Sequence, residues 1–189
     1  MVMAAILEIP ELRRRVSPLS VDEYHRLDER NENGRRTELI RGIVIEKMSK
    51  SPLHRTIAAL LYDLIFAQLS AGYSVWKEEP LTLGDSEPEP DIAVTRGSKK
   101  DFATAHPSTA ELVVEVAVSS PVLDREYAAI YAEAGVKEYW IVLGVERKVE
   151  VYRRPENGKY QEQCVFGVGE TIEPRSLPGI RIAVSDMLV

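Results

Sequence analysis

The sequence predicts an α/β (α+β) protein in which a central mixed β-sheet is flanked by helices. Apolar runs of strand length recur through the middle of the 189-residue chain, and two longer segments have apolar residues at helical spacing. The order helix, three strands, helix, strand is typical of a mixed sheet with helices packed against it. The length fits one domain, residues 1–189, in which residues 1–18 form a loosely ordered N-terminal extension.

The N-terminal half combines a helix and strand extension with the clearest helix of the chain. Its predicted elements are a helix from Ser20 to Arg30, a strand or hairpin arm from Thr37 to Met48, a helix from Pro52 to about Ser70, and a strand from Tyr73 to about Leu83 interrupted near Pro80. Ser20 and Glu23 have the spacing of a capping box. Ser51 caps the long helix and Gly72 ends it. Asn33-Gly34 is a turn signal before the first strand.

The C-terminal half contains the most apolar strands and ends in a β-hairpin. Its predicted elements are a strand opened by Pro90 to Thr95, a strand from Glu111 to Val118, a helix from Asp124 to Ala134, a strand from Glu138 to Leu143, hairpin strands from Lys148 to Arg153 and Tyr160 to Phe166, and a terminal strand within Thr171 to Val189. Gly135 closes the helix. Asn157-Gly158 joins the hairpin strands.

Composition favours a soluble globular protein of the cytoplasm. Hydrophobic residues make up 44% and charged residues 29% of the chain, and no apolar stretch reaches the ~20 residues of a membrane span. The start lacks a basic leader and includes Glu8, so it is a poor signal peptide. The single cysteine, Cys164, excludes an internal disulfide and a cysteine-built zinc site. The net charge of -6 argues against strong non-specific binding to nucleic acid.

Two carboxylates, Asp91 and Glu115, lie in segments that otherwise resemble buried strands. Asp91 opens one apolar run, and Glu115 lies in the middle of the next. A hairpin centred near residue 103 would place them opposite each other, with Cβ atoms ~5 Å apart. Two acids at that distance repel unless a divalent cation such as Mg²⁺ bridges them. The alternative is a structural salt bridge between each acid and an arginine or lysine.

Several blocks of the sequence resemble a known nuclease family. They are Glu38 to Gly42, Met48 to His54, Pro90-Asp91, Leu112 to Ser120, Tyr131 to Trp140 and Val149 to Tyr152. An acid after proline followed by an acid inside an apolar strand resembles the PD-(D/E)xK nuclease core. More narrowly, the chain is similar to the Uma2 family (DUF820) of restriction endonucleases over roughly residues 20 to 188.

The resemblance implies a restriction-endonuclease-like core and a metal-dependent phosphodiesterase site. Asp91 and Glu115 would hold Mg²⁺ or Mn²⁺, which would activate water for hydrolysis of DNA phosphodiester bonds. Glu38 matches an N-terminal acidic position of the family and would contribute a further catalytic carboxylate. The alternative for Glu38 is an exposed strand carboxylate.

The chain departs from the family pattern at the catalytic lysine. The superfamily motif has a lysine two residues after Glu115, where this chain has Ala117. Uma2 relatives usually carry the lysine on the following helix, at the position of Tyr127 here. Arg125 is the candidate substitute, although its fork geometry makes it an imperfect replacement.

Two further side chains are candidates for substrate binding. His54, in the first turn of the long helix, matches a common family histidine and would touch substrate or a site carboxylate; the alternative is a hydrogen bond to nearby backbone. Ser119, directly after the acidic strand, would bind a phosphate or cap the next helix.

Two functions from different classes follow from these observations. The first is a metal-dependent endonuclease acting on DNA. The second is a nuclease-fold protein with weak or no catalysis that serves as a binding or dimerisation module, which the missing lysine and the acidic net charge favour. A homodimer is expected, because duplex cleavage suits two-fold symmetry and the hairpin from Lys148 to Phe166 offers an edge for pairing.

Overall fold

The fold is described by a computed structural model over residues 10–29, 34–119 and 121–188. Its elements in chain order are α1 (Pro10–Arg13), α2 (Val21–Asp28), β1 (Thr37–Ile40), β2 (Ile43–Glu46), α3 (Pro52–Gln68), β3 (Tyr73–Lys77), β4 (Ile92–Arg96), a 3₁₀ turn (Lys99–Phe102), β5 (Leu112–Ala117), α4 (Val122–Glu133), β6 (Glu138–Leu143), β7 (Lys148–Glu156), β8 (Lys159–Gly167), β9 (Thr171–Ile172), β10 (Ile182–Ala183) and α5 (Val184–Met187). The expectations for residues 1–9, Asn33 and Ser120 lie outside the described residues.

A six-stranded mixed sheet with the order β3-β4-β5-β6-β7-β8 forms the centre of the fold. Neighbouring strands are antiparallel except for β5 and β6, which run parallel and are joined through α4. Every residue of β5 and β6 is buried, as expected for central strands that are covered on both faces. The predicted mixed sheet with flanking helices is confirmed.

One face of the sheet packs against α3 and the C-terminal segment. Ile57, Leu61 and Ile65 recur at helical spacing on α3 and are fully buried. They share a core cluster with Val114 of β5 and with Trp140 of β6. Ser51 caps α3 by accepting a hydrogen bond from the His54 amide, so the predicted start of this helix is confirmed.

The opposite face packs against α4 and contains a group of tyrosines. Tyr131 of α4 and Tyr139 of β6 are fully buried, with ring centroids 4.8 Å apart. Tyr127 contacts Tyr131 edge-on, with centroids 6.5 Å apart. This face therefore carries hydroxyl groups inside an otherwise apolar core, and each hydroxyl needs a partner there.

The segment predicted as one strand or hairpin arm from Thr37 to Met48 is itself a hairpin. β1 and β2 pair with each other in a separate two-stranded sheet. Arg41 and Gly42 form the turn with positive φ angles of 52° and 73°, the conformation typical of a tight hairpin turn. A Cβ at Gly42 would lie 2.4 Å from the Cβ of Pro18. The turn therefore requires glycine for both its φ and its packing.

Two other strand expectations need correction. The strand predicted from Tyr73 to Leu83 ends at Lys77, because the prolines beyond it cannot donate to a strand ladder. The C-terminal stretch contains two strands of two residues each and a short helix, rather than one terminal strand. Among the described residues, no helix is both long enough and apolar enough to cross a membrane.

A buried ion pair holds the end of the sheet where β6 begins. Glu138 is 2% exposed, and its Oε2 lies 3.2 Å from Nε of Arg153 on β7. Glu138 Oε2 also accepts a hydrogen bond from the Trp140 indole at 3.1 Å, while its Oε1 accepts one from the Arg175 amide. Arg153 in turn donates to the carbonyl of Glu173 at 2.9 Å. This carboxylate is therefore fully matched with donors.

Removing one partner of this pair should destabilise the protein strongly. Glu138→Gln leaves Arg153 as a buried charge without its counter-ion, so we expect a loss of about 3–5 kcal/mol in the free energy of unfolding. Urea denaturation measures the loss. Glu156→Gln is the matched control, because its exposed pair with Arg154 should be worth less than about 1 kcal/mol. Equal effects of the two changes would contradict a structural role for Glu138.

Candidate active site

Asp91 and Glu115 come together where β4 begins and β5 approaches its end. Ile92 pairs with Val114 in the antiparallel register of the two strands, which confirms the predicted placement of Asp91 beside Glu115. The Asp91 amide donates to Glu115 Oε2 at 3.2 Å, and the Val116 amide donates to Asp91 Oδ2 at 2.8 Å. The backbone thus ties the two carboxylates to each other's strands.

Asp91 has two basic partners from the segment that precedes and begins α3. Lys50 Nζ lies 2.5 Å from Asp91 Oδ1, and His54 Nε2 lies 3.0 Å from Oδ2. Burial alone would raise the pKa of Asp91, but the hydrogen bonds and charges of His54 and Lys50 outweigh burial and lower it. Asp91 is therefore held ionised, and this acid forms the salt bridge that the alternative interpretation expected.

Glu115 has a different environment, with hydrogen-bond donors but no ion pair. Its Oε1 accepts a hydrogen bond from the Tyr131 hydroxyl at 2.9 Å, and its Oε2 accepts the Asp91 amide. Within the described ranges, no lysine, arginine or histidine forms an ion pair with it. Burial and the negative charge of Asp91 raise the pKa of Glu115 well above its usual range. Glu115 is thus the buried acid without an ion-pair partner among the described residues, and its raised pKa favours the neutral form.

Glu38 is a third carboxylate of the site and lies on β1. It is buried at 8% exposure, so the alternative of an exposed strand carboxylate is wrong. Its Oε1 accepts a hydrogen bond from the Tyr127 hydroxyl at 2.7 Å, and its Oε2 accepts one from the Glu89 amide at 3.3 Å. Lys47 Nζ lies 3.5 Å from Oε2. Tyr127, at the helix position where the resemblance led us to expect a lysine, is therefore an uncharged donor to Glu38.

A pocket of about 370 Å³ opens onto these carboxylates. Glu38, Asp91 and Glu115 all line it, together with Asp124 from the first turn of α4. Burial and the charge of Asp91 raise the pKa of Asp124 to about 6. The basic side chains of the lining are Lys47, Lys50 and His54, and the wall also includes Tyr127, Ser119 and Leu123.

Three weaker site expectations have different outcomes in the structure. The side chain of His54 contacts a site carboxylate, as the first alternative for it expected. Ser119 lines the pocket and does not cap α4, whose N-cap is Pro121 without a side-chain hydrogen bond. Arg125 does not line the pocket. Its guanidinium donates two hydrogen bonds to Glu150 on β7, at 2.5 and 3.1 Å. Arg125 therefore does not supply a positive side-chain charge to the site carboxylates.

Sequence reasoning missed Lys50, Asp124 and Tyr131 as parts of the site. Lys50 lies in the block from Met48 to His54, just before the helix cap, and its closeness to His54 along the chain was the available signal. Asp124 was assigned only to the start of a helix. Tyr131 had no signal of its own, because a buried tyrosine at helical spacing is expected in any core.

The donor set suits a small divalent cation that keeps part of its water shell. Among the residues described, no three His, Cys, Asp or Glu side chains form a ready-made metal-binding group. Asp91 and Glu115 remain as two adjacent carboxylates at the pocket wall, and Mg²⁺ is usually bound by one or two carboxylates completed by water and phosphate oxygens. The arrangement can thus hold such an ion without a full cage of side chains.

The fold is shared with a nuclease-like structure. A crystal structure from Anabaena variabilis, described as a putative nuclease belonging to DUF820, superposes with a TM-score of 0.75. The match covers 90% of this chain and 97% of that chain at 21% sequence identity, a level that shows a common fold.

The family of this chain is established by the match of its sequence to a family model. The model of the Uma2 family, described as "Putative restriction endonuclease", matches residues 21–185. The chain therefore belongs to the Uma2 family, and the resemblance drawn from its motifs is confirmed. A comparison with curated proteins finds no match.

Glu115→Gln should affect stability in the opposite way to the change at Glu138. The substitution fixes the side chain in the neutral form that the raised pKa of Glu115 already favours, and it strands no cation. Without metal we therefore expect the free energy of unfolding to stay the same or rise by about 1 kcal/mol. Urea denaturation in the presence of a chelator measures it, with Glu138→Gln alongside. A loss of about 3 kcal/mol or more at Glu115 would show that this carboxylate depends on a cationic partner.

Proposed function

We propose that the protein is a metal-dependent endonuclease that hydrolyses DNA phosphodiester bonds, with Asp91 and Glu115 as the metal ligands. One observation carries the proposal: two buried carboxylates lie side by side at a pocket wall, and one of them has no ion pair among the described residues. Such a charge is too costly to bury without compensation. A divalent cation supplied from solution would provide it.

The side chains around the pair would orient it for this role. Val116 and His54 hold Oδ2 of Asp91, which fixes the plane of that carboxylate. Tyr131 and the Asp91 amide do the same for Glu115. Because these donors come from central strands and from a packed helix, the two carboxylates are preorganised. A bound Mg²⁺ or Mn²⁺ would lower the pKa of a coordinated water and neutralise charge on the phosphate.

Glu38 would act as the helper carboxylate. It lines the same pocket and is oriented by the Tyr127 hydroxyl. Its second oxygen faces Lys47 at 3.5 Å. With Glu38 held in this way, a water molecule between it and the pair would have an acceptor for its hydrogen.

Basic residues beside the pocket support an anionic substrate. A neighbouring groove of about 520 Å³ is lined by Arg36, Lys47, Lys50, Arg55 and Lys77, with Glu78 as its acidic residue. Arg55 and Lys77 are exposed. A groove of this charge would attract a phosphate backbone even though the whole chain has a net charge of -6. DNA is the substrate that the family description and this groove favour together.

The proposal includes a homodimer that acts in the cytoplasm. β8 is an edge of the six-stranded sheet, and its residues are exposed or half-buried along its length. An unpaired strand edge is a ready surface for pairing with a second copy. A two-fold dimer would bring two sites to the two strands of a duplex.

A binding or dimerisation module with weak or no catalysis is the second candidate function. The ion pair between Lys50 and Asp91 at 2.5 Å favours it, because a side-chain cation already compensates one of the two carboxylates. The uncharged Tyr127 at the family's lysine position is consistent with the same interpretation.

Cleavage of plasmid DNA in the presence of Mn²⁺ separates the two functions. We expect the parent protein to nick or linearise the plasmid, and Asp91→Asn to lower the rate at least about 100-fold, because the metal would lose a charged ligand. Asp63→Asn on the exposed side of α3 is the matched control and should cleave like the parent.

Two outcomes of the cleavage assay would contradict the proposed function, and they lead to different conclusions. If cleavage persists in Asp91→Asn, the proposed site is wrong. If the parent and Asp63→Asn both leave the plasmid intact while remaining folded, the binding-module function is favoured.

A further inference from the structure

The proposed reaction needs a cation beside the carboxylates, and neither lysine position of the resembling nucleases supplies one. The position two residues after the strand carboxylate is Ala117, which is buried in the tyrosine-bearing core. The helix position is Tyr127, an uncharged donor to Glu38. Arg125 is bound to Glu150 outside the pocket. The cation must therefore come from another part of the chain.

Lys50 lies where such a cation is needed. Its Nζ is 2.5 Å from Asp91 Oδ1 and 3.1 Å from Glu78 Oε1. The side chain is 16% exposed, so it is largely enclosed while still reaching the pocket. Lys50 lines the carboxylate pocket and also the basic groove beside it. It thus stands between the proposed metal ligands and the surface along which a phosphate backbone would approach.

The connection between β2 and α3 fixes Lys50 in this place. Ser51 caps α3 through the His54 amide at 3.2 Å, so the residue before the cap and the first turn of the helix share one rigid frame. His54 contacts Oδ2 of Asp91 while Lys50 contacts Oδ1. Asp91 is therefore held from one side by a single short segment. The helix start fixes the backbone of Lys50, while the flexible four-carbon side chain lets the ammonium group shift from Asp91 Oδ1 toward a bound phosphate.

We propose that Lys50 is the catalytic cation of this nuclease site, in place of the lysine that relatives carry on the helix; the inference rests on the proposed function. In the hydrolysis, a P–O bond forms to the water oxygen as the P–O bond to one sugar oxygen breaks. The water loses one proton to solvent and the leaving alkoxide takes one up. Lys50 stays protonated and donates its N–H groups to the attacking water and to the phosphoryl oxygen that gains charge.

Lys47 offers the comparison that isolates Lys50. It lies in the same connection and lines the same pocket. Its Nζ donates to the Glu89 carbonyl at 2.6 Å and lies 3.5 Å from Glu38 and Glu89 carboxylate oxygens. Lys47 contacts the helper carboxylate and has no ion pair with Asp91. Removing its charge therefore alters the pocket's net charge as much as removing that of Lys50, without breaking an ion pair of Asp91.

The test compares Lys50→Met with Lys47→Met and Lys50→Arg in two assays. Plasmid cleavage with Mn²⁺ gives kcat and KM, and calorimetric titration with MnCl₂ in the absence of DNA gives the metal affinity. For Lys50→Met we expect kcat to fall about 100- to 1,000-fold with little change in KM. Mn²⁺ binding should be retained or tighter, because Asp91 Oδ1 loses its competing partner. Lys50→Arg should restore part of kcat. Lys47→Met should lower kcat less than about tenfold and raise KM, because Lys47 contacts Glu38 and lines the basic groove but has no ion pair with Asp91.

Two results would overturn the inference while leaving the proposed function intact. One is an active parent whose kcat is unchanged or raised in Lys50→Met, which would make Lys50 a counter-ion that merely occupies the metal position. The other is an equal loss in Lys47→Met, which would reflect pocket charge alone. A parent that binds no Mn²⁺ and cleaves no DNA would instead reject the proposed function, and the inference with it.

Discussion

The register between β4 and β5 is the constraint on which the rest of the site depends. Pairing Ile92 with Val114 leaves Asp91 and Glu115 side by side in the interior, where two negative charges repel and are poorly solvated. A shift of one residue would turn every side chain of the strand to the other face, so the apolar residues around the acids fix the pair. The fold therefore specifies the carboxylate pair through its hydrophobic core.

The elements around the pair supply the hydrogen-bond donors and the basic side chains that buried carboxylates require. Three separate segments reach the two acids: the connection before α3 and the first turn of that helix with Lys50 and His54, the helix α4 with Tyr131, and β5 itself with the Val116 amide. Their donors are distributed unevenly, since both basic side chains contact Asp91. Glu138, at the opposite end of the sheet, shows a carboxylate matched by an arginine and by N–H donors from a tryptophan and the backbone. Glu115 lacks such a cationic partner among the described residues, and this difference supports its proposed role as a metal ligand.

Much of this arrangement could be predicted from the sequence, for physical reasons that differ by element. The strand from Glu138 to Leu143 and the hairpin joined at Asn157-Gly158 depend on apolar runs and local turn chemistry. The former was predicted to the residue, and the hairpin was predicted at the right place although its first strand continues past Arg153 to Glu156. The position of Asp91 beside Glu115 followed from counting along one antiparallel pair. The strand after Tyr73 was overextended, because its apolar pattern continues past the point where prolines end the ladder.

Contacts between distant segments could not be predicted. Lys50 and Asp91 are 41 residues apart in sequence, and Tyr127 and Glu38 are 89 apart, so no local spacing connects them. The expectation for Arg125 failed for the same reason, since its partner Glu150 lies on a strand two elements away. The lysine that contacts Asp91 comes instead from the connection before α3.

The most direct measurement of the central claim is anomalous X-ray diffraction from crystals of the protein soaked in MnCl₂. The account predicts an anomalous peak at coordination distance, about 2.1 Å, from carboxylate oxygens of both Asp91 and Glu115. A soaked crystal with no peak there, in which Lys50 Nζ remains on Asp91 Oδ1 and Glu115 is bound only by Tyr131 and the Asp91 amide, would contradict it.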